Sequence, residues 1–109
     1  MKRIGKVYIR DRYCGTISQD ESCFVFRYDK AYLSLPEAEP VSLTMPLQEE
    51  AYESNILFPF FDGLIPEGYL LEIALEHYKI KSNDRMELLL KTCKETLGCV
   101  SVMEAQGDE

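Results

Sequence analysis

The sequence holds a single histidine, His77, and that scarcity limits what its 109 residues can do chemically. Nucleophilic catalysis through serine or cysteine needs a base within reach, and only one imidazole is present to serve. His77 borders the apolar face of a helix pattern, where a structural role is the commoner explanation. No P-loop, glycine-rich kinase loop, HExxH or GxSxG occurs. Cysteine is present but unpaired in sequence. Cys14, Cys23, Cys93 and Cys99 form no CxxC, so a zinc site would need scattered ligands and none is expected. Long apolar runs are missing too. Nothing approaches the ~20 residues of a membrane span, and Gly5 and Lys6 interrupt the apolar stretch behind Met1-Lys2-Arg3, so no secretory leader is read. Without one, the cysteines are expected to be free thiols in a cytoplasmic protein.

Positive charge is also short. Lys and Arg number 12 against 19 for Asp and Glu, a formal net charge of −7. That sign repels phosphate backbones and anionic lipid, which argues against direct nucleic-acid or membrane binding. It suits a basic protein partner, although acidity for solubility alone is the commoner reason. A two-lobed catalytic cleft needs roughly 200 residues or more. With 46% apolar content, residues 1–109 are read as one small globular domain without enzymatic activity or cofactor.

What is there reads as an α+β plan: a small antiparallel sheet, made of an N-terminal meander plus a middle and a C-terminal strand, packed with three helices. Ile4 to Ile9 begins the meander. Asp11-Arg12 with Gly15 supplies turn or bulge chemistry, and Tyr13 to Ile17 continues extended. Gln19 to Ser22 is read as the polar connection to a third strand, Cys23 to Tyr28. Asp29 can cap a short helical turn over Ala31, Tyr32 and Leu33. Alternation then predicts a strand over Val41 to Met45, with Val41, Leu43 and Met45 on one face.

The remainder is mostly helical. A helix runs toward Phe61 and starts near Ser54-Asn55 or, given Pro59, later near Phe58; Gly63 ends it. Pro66 opens the next helix, which reaches about Lys79. Its apolar set Leu70, Leu71, Ile73, Ala74, Leu75 and Tyr78 covers a wide face, and Glu72, Glu76 and Lys79 form the opposite stripe. Ser82 or Asn83 caps a third helix with Met86, Leu89, Leu90 and Cys93 inward, Gly98 terminates it, and Cys99 to Met103 returns as a strand.

The stretch from Phe58 to Leu70 is unusual in crowding three phenylalanines, two prolines and two glycines into one helix–turn–helix. Aromatics this dense are usually core. Tyr69, however, lies about 20° around its helix from Glu76 and about 60° from Glu72, at ~100° per residue. It projects from the polar face beside Gly68, where the backbone is approachable, so an interface anchor is a fair reading. The expected partner-binding set is therefore Gly63, Pro66, Glu67, Gly68, Tyr69 and Glu72.

Several ordered segments of the chain resemble the N-terminal subdomain of HipA toxin kinases. Phe26-Arg27-Tyr28 is similar to the F-K-Y that ends its third strand. Ser42 to Gln48 is similar to its SLSLPLQ element, and Leu57 to Glu67 to its VFxFFDNLLPD. Leu88-Leu89 and Gly98 to Val102 are similar to the following helix and its GAVTL strand. In such kinases this subdomain precedes a larger catalytic body. A free-standing version resembles HipS, the small component of tripartite HipB–HipS–HipT systems, in which it acts as antitoxin in trans. The resemblance thus implies a HipT-like serine/threonine kinase as partner, held inactive by protein–protein contact, and a HipB-like DNA-binding protein in a larger complex. Two other roles fit the same residues. One is a structural or activating subunit that completes the kinase fold; the other is the excised N-terminal domain of a longer kinase.

Overall fold

The computed structural model describes residues 3–21, 23–65, 68–79, 84–93 and 100–105, and the side chains of residues 68–71 and 74 lie outside that description. Three antiparallel strands open the chain: β1 (Arg3–Ile9), β2 (Arg12–Asp20) and β3 (Cys23–Tyr28). Arg10 and Asp11 join the first two, both with positive φ (50° and 69°). That pairing matches the right-handed twist of the flanking strands and makes a tight two-residue hairpin. Val7 pairs with Gly15 but Tyr8 pairs with Tyr13, so Cys14 is an extra residue bulged out of β2. Gly15 beside it is there for space: a Cβ would stand 2.3 Å from the Arg27 carbonyl oxygen. The expected turn-and-bulge chemistry is thus present. The expected polar connection is shorter than read, because β2 continues through Asp20, with a turn at Glu21 (φ 58°) after it and Ser22 outside the described residues.

Asp29 caps α1 (Lys30–Leu33), accepting from the Tyr32 N–H at 3.3 Å. The strand expected over Val41 to Met45 does not form. Those residues close into a tight turn in which the Met45 N–H donates to the Ser42 carbonyl at 3.0 Å. Side-chain hydrogen bonds displace the ladder. Ser42 Oγ accepts from the Thr44 N–H and bonds Thr44 Oγ1. The buried Tyr28 hydroxyl accepts from the Val41 N–H at 3.0 Å and donates to the Met45 carbonyl. Val41 and Met45 are buried as expected, but Leu43 is 96% exposed. The middle strand is instead β4 (Tyr52–Ser54), paired with Phe24 to Phe26. Its Tyr-Glu-Ser composition carries almost no strand signal.

Three further helices follow: α2 (Pro59–Asp62), α3 (Gly68–Tyr78) and α4 (Arg85–Thr92). Of the two starts open for α2, the later one is found, with Pro59 in its first turn, where a missing N–H costs nothing. Asp84, not Ser82 or Asn83, caps α4 through the Glu87 N–H; those two residues, like Gly98 and Cys99, lie outside the described residues. β5 (Val100–Glu104) pairs with β1, giving the antiparallel order β4-β3-β2-β1-β5. The architecture is α+β, as the sequence predicts.

Alternate strand positions place Val7, Ile17, Phe26 and Val102 in one core beneath the helices, while Thr16, Ser18 and Val25 line the opposite face. α4 lies close across β1 at Gly5, where a Cβ would sit 2.6 Å from Leu90 Cδ2. Met86, Leu88, Leu89 and Leu90 are all fully buried, and the Val102 N–H donates to the Cys93 carbonyl at 2.8 Å, which ties the end of α4 to β5.

Cys14, Cys23 and Cys93 are free thiols. Burial, with the Asp29 charge adding to it, pushes the Cys14 thiol from 9.0 up to about 12. Burial likewise pushes the Tyr28 phenol from 10.0 up to about 12, against the lowering effect of its Val41 hydrogen bond. Above pH 9 an unfolded chain releases these protons while the folded chain keeps them, so rising pH favours unfolding until about pH 12. Thermal melts are expected to show full stability from these groups below pH 9 and a steady loss between pH 9 and 12. Cys14→Ala should flatten that slope. An unchanged slope in the variant would remove Cys14 from the account.

Candidate partner-docking site

The turn after α2 is seated by aromatic packing. Phe61 is fully buried, with ring centroids 5.3 Å from Phe26, 5.2 Å from Phe60 and 6.4 Å from Phe58. Phe58 is buried and Phe60 half-buried, so the dense aromatics are core. Two bonds fix the turn against α4: Arg85 Nε donates to Asp62 Oδ1 at 2.6 Å, and the Cys93 thiol donates to the Leu64 carbonyl at 3.5 Å. Gly63 caps α2 with φ −69°, and a Cβ there would make only ordinary contacts. Neither left-handed geometry nor crowding demands glycine at this position.

Of the remaining expected docking residues, Pro66 and Glu67 lie outside the described residues. Gly68 and Tyr69 open α3, with the Tyr69 side chain also outside them. Glu72 is exposed on that helix, as is Glu76. Of the apolar face expected for α3, the side chains of Leu70, Leu71 and Ala74 lie outside the described residues. Leu75 packs half-buried on the core, but Ile73 and Tyr78 are each 46% exposed. The helix packs against α4. His77 is exposed rather than set at a core edge, with its ring edge-on to Tyr78 at 4.7 Å. The side of α3 that carries Glu72 and Glu76 therefore also offers the half-exposed Ile73.

A concavity of about 280 Å³ lies between the β1–β2 turn and the loop after α1. Arg12 pairs with Glu37 at 2.9 Å there, and Arg10 pairs with Glu39. The Arg12 hydrogen bond holds the Glu37 carboxyl below its ordinary range. Its charges satisfy one another, which makes it a surface clamp between strand and loop. Among the described residues no group of three or more His, Cys, Asp or Glu is placed to hold a metal ion, and no helix is long and apolar enough to cross a membrane. Sequence reasoning missed the exposed Leu43, whose signal was the Ser-x-Thr-x-Pro pattern of residues 42–46, rich in turn formers.

By fold this is a small α+β domain that carries its helices on one face of a five-stranded antiparallel sheet. The chain belongs to the HipA N-terminal domain family, whose sequence model matches residues 5–103. It is 32% identical over 102 residues to an uncharacterized protein of Haemophilus influenzae, covering 94% of this chain and 92% of that one. It is also similar to a solved N-terminal domain of HipA toxin, with a TM-score of 0.71 and 26% identity. That match covers 97% of this chain and 95% of the other.

Proposed function

We propose that this chain is an antitoxin that docks in trans on a HipA- or HipT-type serine/threonine kinase in the cytoplasm and holds it inactive. The observation that carries this reading is the likeness to the N-terminal domain of HipA toxin across 97% of the chain and 95% of that domain. A domain that packs beside a kinase body when covalently joined has a surface already shaped for that body when supplied separately. The chain performs no chemistry of its own and needs no cofactor; it acts by covering the cleft or fixing the lobes. Gly63, Pro66, Glu67, Gly68, Tyr69 and Glu72 form the docking surface, with Tyr69 as anchor and the carboxylates facing a basic cleft. The exposed Glu72 and the half-exposed Ile73, about 60° and 40° around α3 from Tyr69, support that side of the molecule as the contact.

Calorimetric titration of the HipT-like kinase body from the same genome tests the docking. Tyr69→Ala is expected to weaken binding at least ~10-fold, equivalent to about 1.4 kcal/mol. Its melting temperature should stay close to that of the wild type. A several-degree drop in melting temperature would make Tyr69 a core residue. A stable variant that binds as the wild type does would remove it from the interface.

A further inference from the structure

A single exposed leucine is ordinary on a protein surface. Leu43 differs in how it is held. Its side chain is 96% exposed at the tip of the turn, while Val41 and Met45 at the base are 7% and 4% exposed. The Tyr28 hydroxyl, itself buried, joins the two arms by bonding the Val41 N–H and the Met45 carbonyl. Ser42 and Thr44 brace the tip, and the Tyr52 hydroxyl donates to the Pro46 carbonyl at 2.5 Å just beyond it. An apolar side chain presented on so fixed a backbone loses little conformational freedom when it is buried, which favours use as an anchor.

Charge indicates what would bury it. Between Ala31 and Tyr78 every formally charged side chain is a carboxylate, and no lysine or arginine occurs. Glu49 and Glu50 follow the turn and are exposed, as are the apolar Leu47 and Ile56 of the same stretch. Apolar tips set among carboxylates match a socket that is apolar at its centre and basic at its rim.

We propose that Leu43 is a second anchor, which enters an apolar socket on the kinase body while Glu49 and Glu50 face lysine or arginine at the socket's edge. This rests on the docking function above and extends the contact beyond the α2–α3 turn. The test is calorimetric titration of the same kinase body with the wild-type chain, with Leu43→Ala and with the double variant Glu49→Gln/Glu50→Gln. Leu43→Ala should bind at least ~10-fold more weakly. Its melting temperature should not move, because the side chain lies in solvent. The double variant should lose much of the wild type's weakening at high salt. If the wild type binds and Leu43→Ala binds within about twofold of it, the anchor is wrong and the docking function stands. If Leu43→Ala is weakened but the double variant keeps the full salt dependence, the basic rim is wrong. Failure of the wild-type chain itself to bind would overturn the docking function and the anchor with it.

Discussion

Phe61→Ala is expected to cost about 3–5 kcal/mol of folding stability, the largest effect of any single truncation considered for this chain. Phe61 is fully buried at the meeting point of sheet and helices, against Phe26 from β3 and Phe58 and Phe60 from its own segment. Its removal leaves a cavity whose walls belong to different elements, so no single side chain can shift to fill it. At about 4 °C or more per kcal/mol, the melting temperature should fall by roughly 12 °C or more. Phe60→Ala is the matched comparison. Phe60 touches the same ring but is only half-buried, and its loss should cost less than half as much. Equal losses at the two positions would contradict the placement of Phe61 at the centre of the core. The variant also bears on function, because the Phe61 cluster seats the turn that leads into α3.

Where the sequence was informative, the signal was a local one with a steric or hydrogen-bonding cause. The meander was legible because Cys23 to Tyr28 alternates and because Asp11 and Gly15 announce a turn and a bulge. Asp29 was legible as a cap, since its carboxylate has one obvious N–H to meet. Reading failed where distant residues decide. Val41 to Met45 alternates like a strand, yet the hydroxyl of Tyr28 closes it into a turn. Nothing within the segment reveals that partner. Tyr52–Ser54 becomes a strand only because β3 offers it a free edge. In α3 the apolar pattern is real, yet Ile73 and Tyr78 are left about half exposed. Apolar periodicity marks which face seeks burial, and not whether this chain supplies the cover. For the proposed docking surface, sequence reading selected the Gly63 to Glu72 region and passed over Leu43, because the alternation of residues 41–45 outweighed the turn formers Ser42, Thr44 and Pro46.

Inhibition is the central claim, and kinase activity measures it most directly. The HipT-like kinase body from the same genome is incubated with labelled ATP and magnesium while the chain is titrated from below to above equimolar. Domain docking that blocks the cleft should drive phosphorylation to background once the two are equimolar, at concentrations well above the dissociation constant. The chain alone should transfer no phosphate. Docking without inhibition has a different signature: calorimetry would show the complex formed while phosphorylation stayed level or rose. Phosphorylation that falls to background at one chain per kinase is the predicted result; undiminished or increased phosphorylation by a fully bound kinase would contradict it and make the chain a structural or activating subunit.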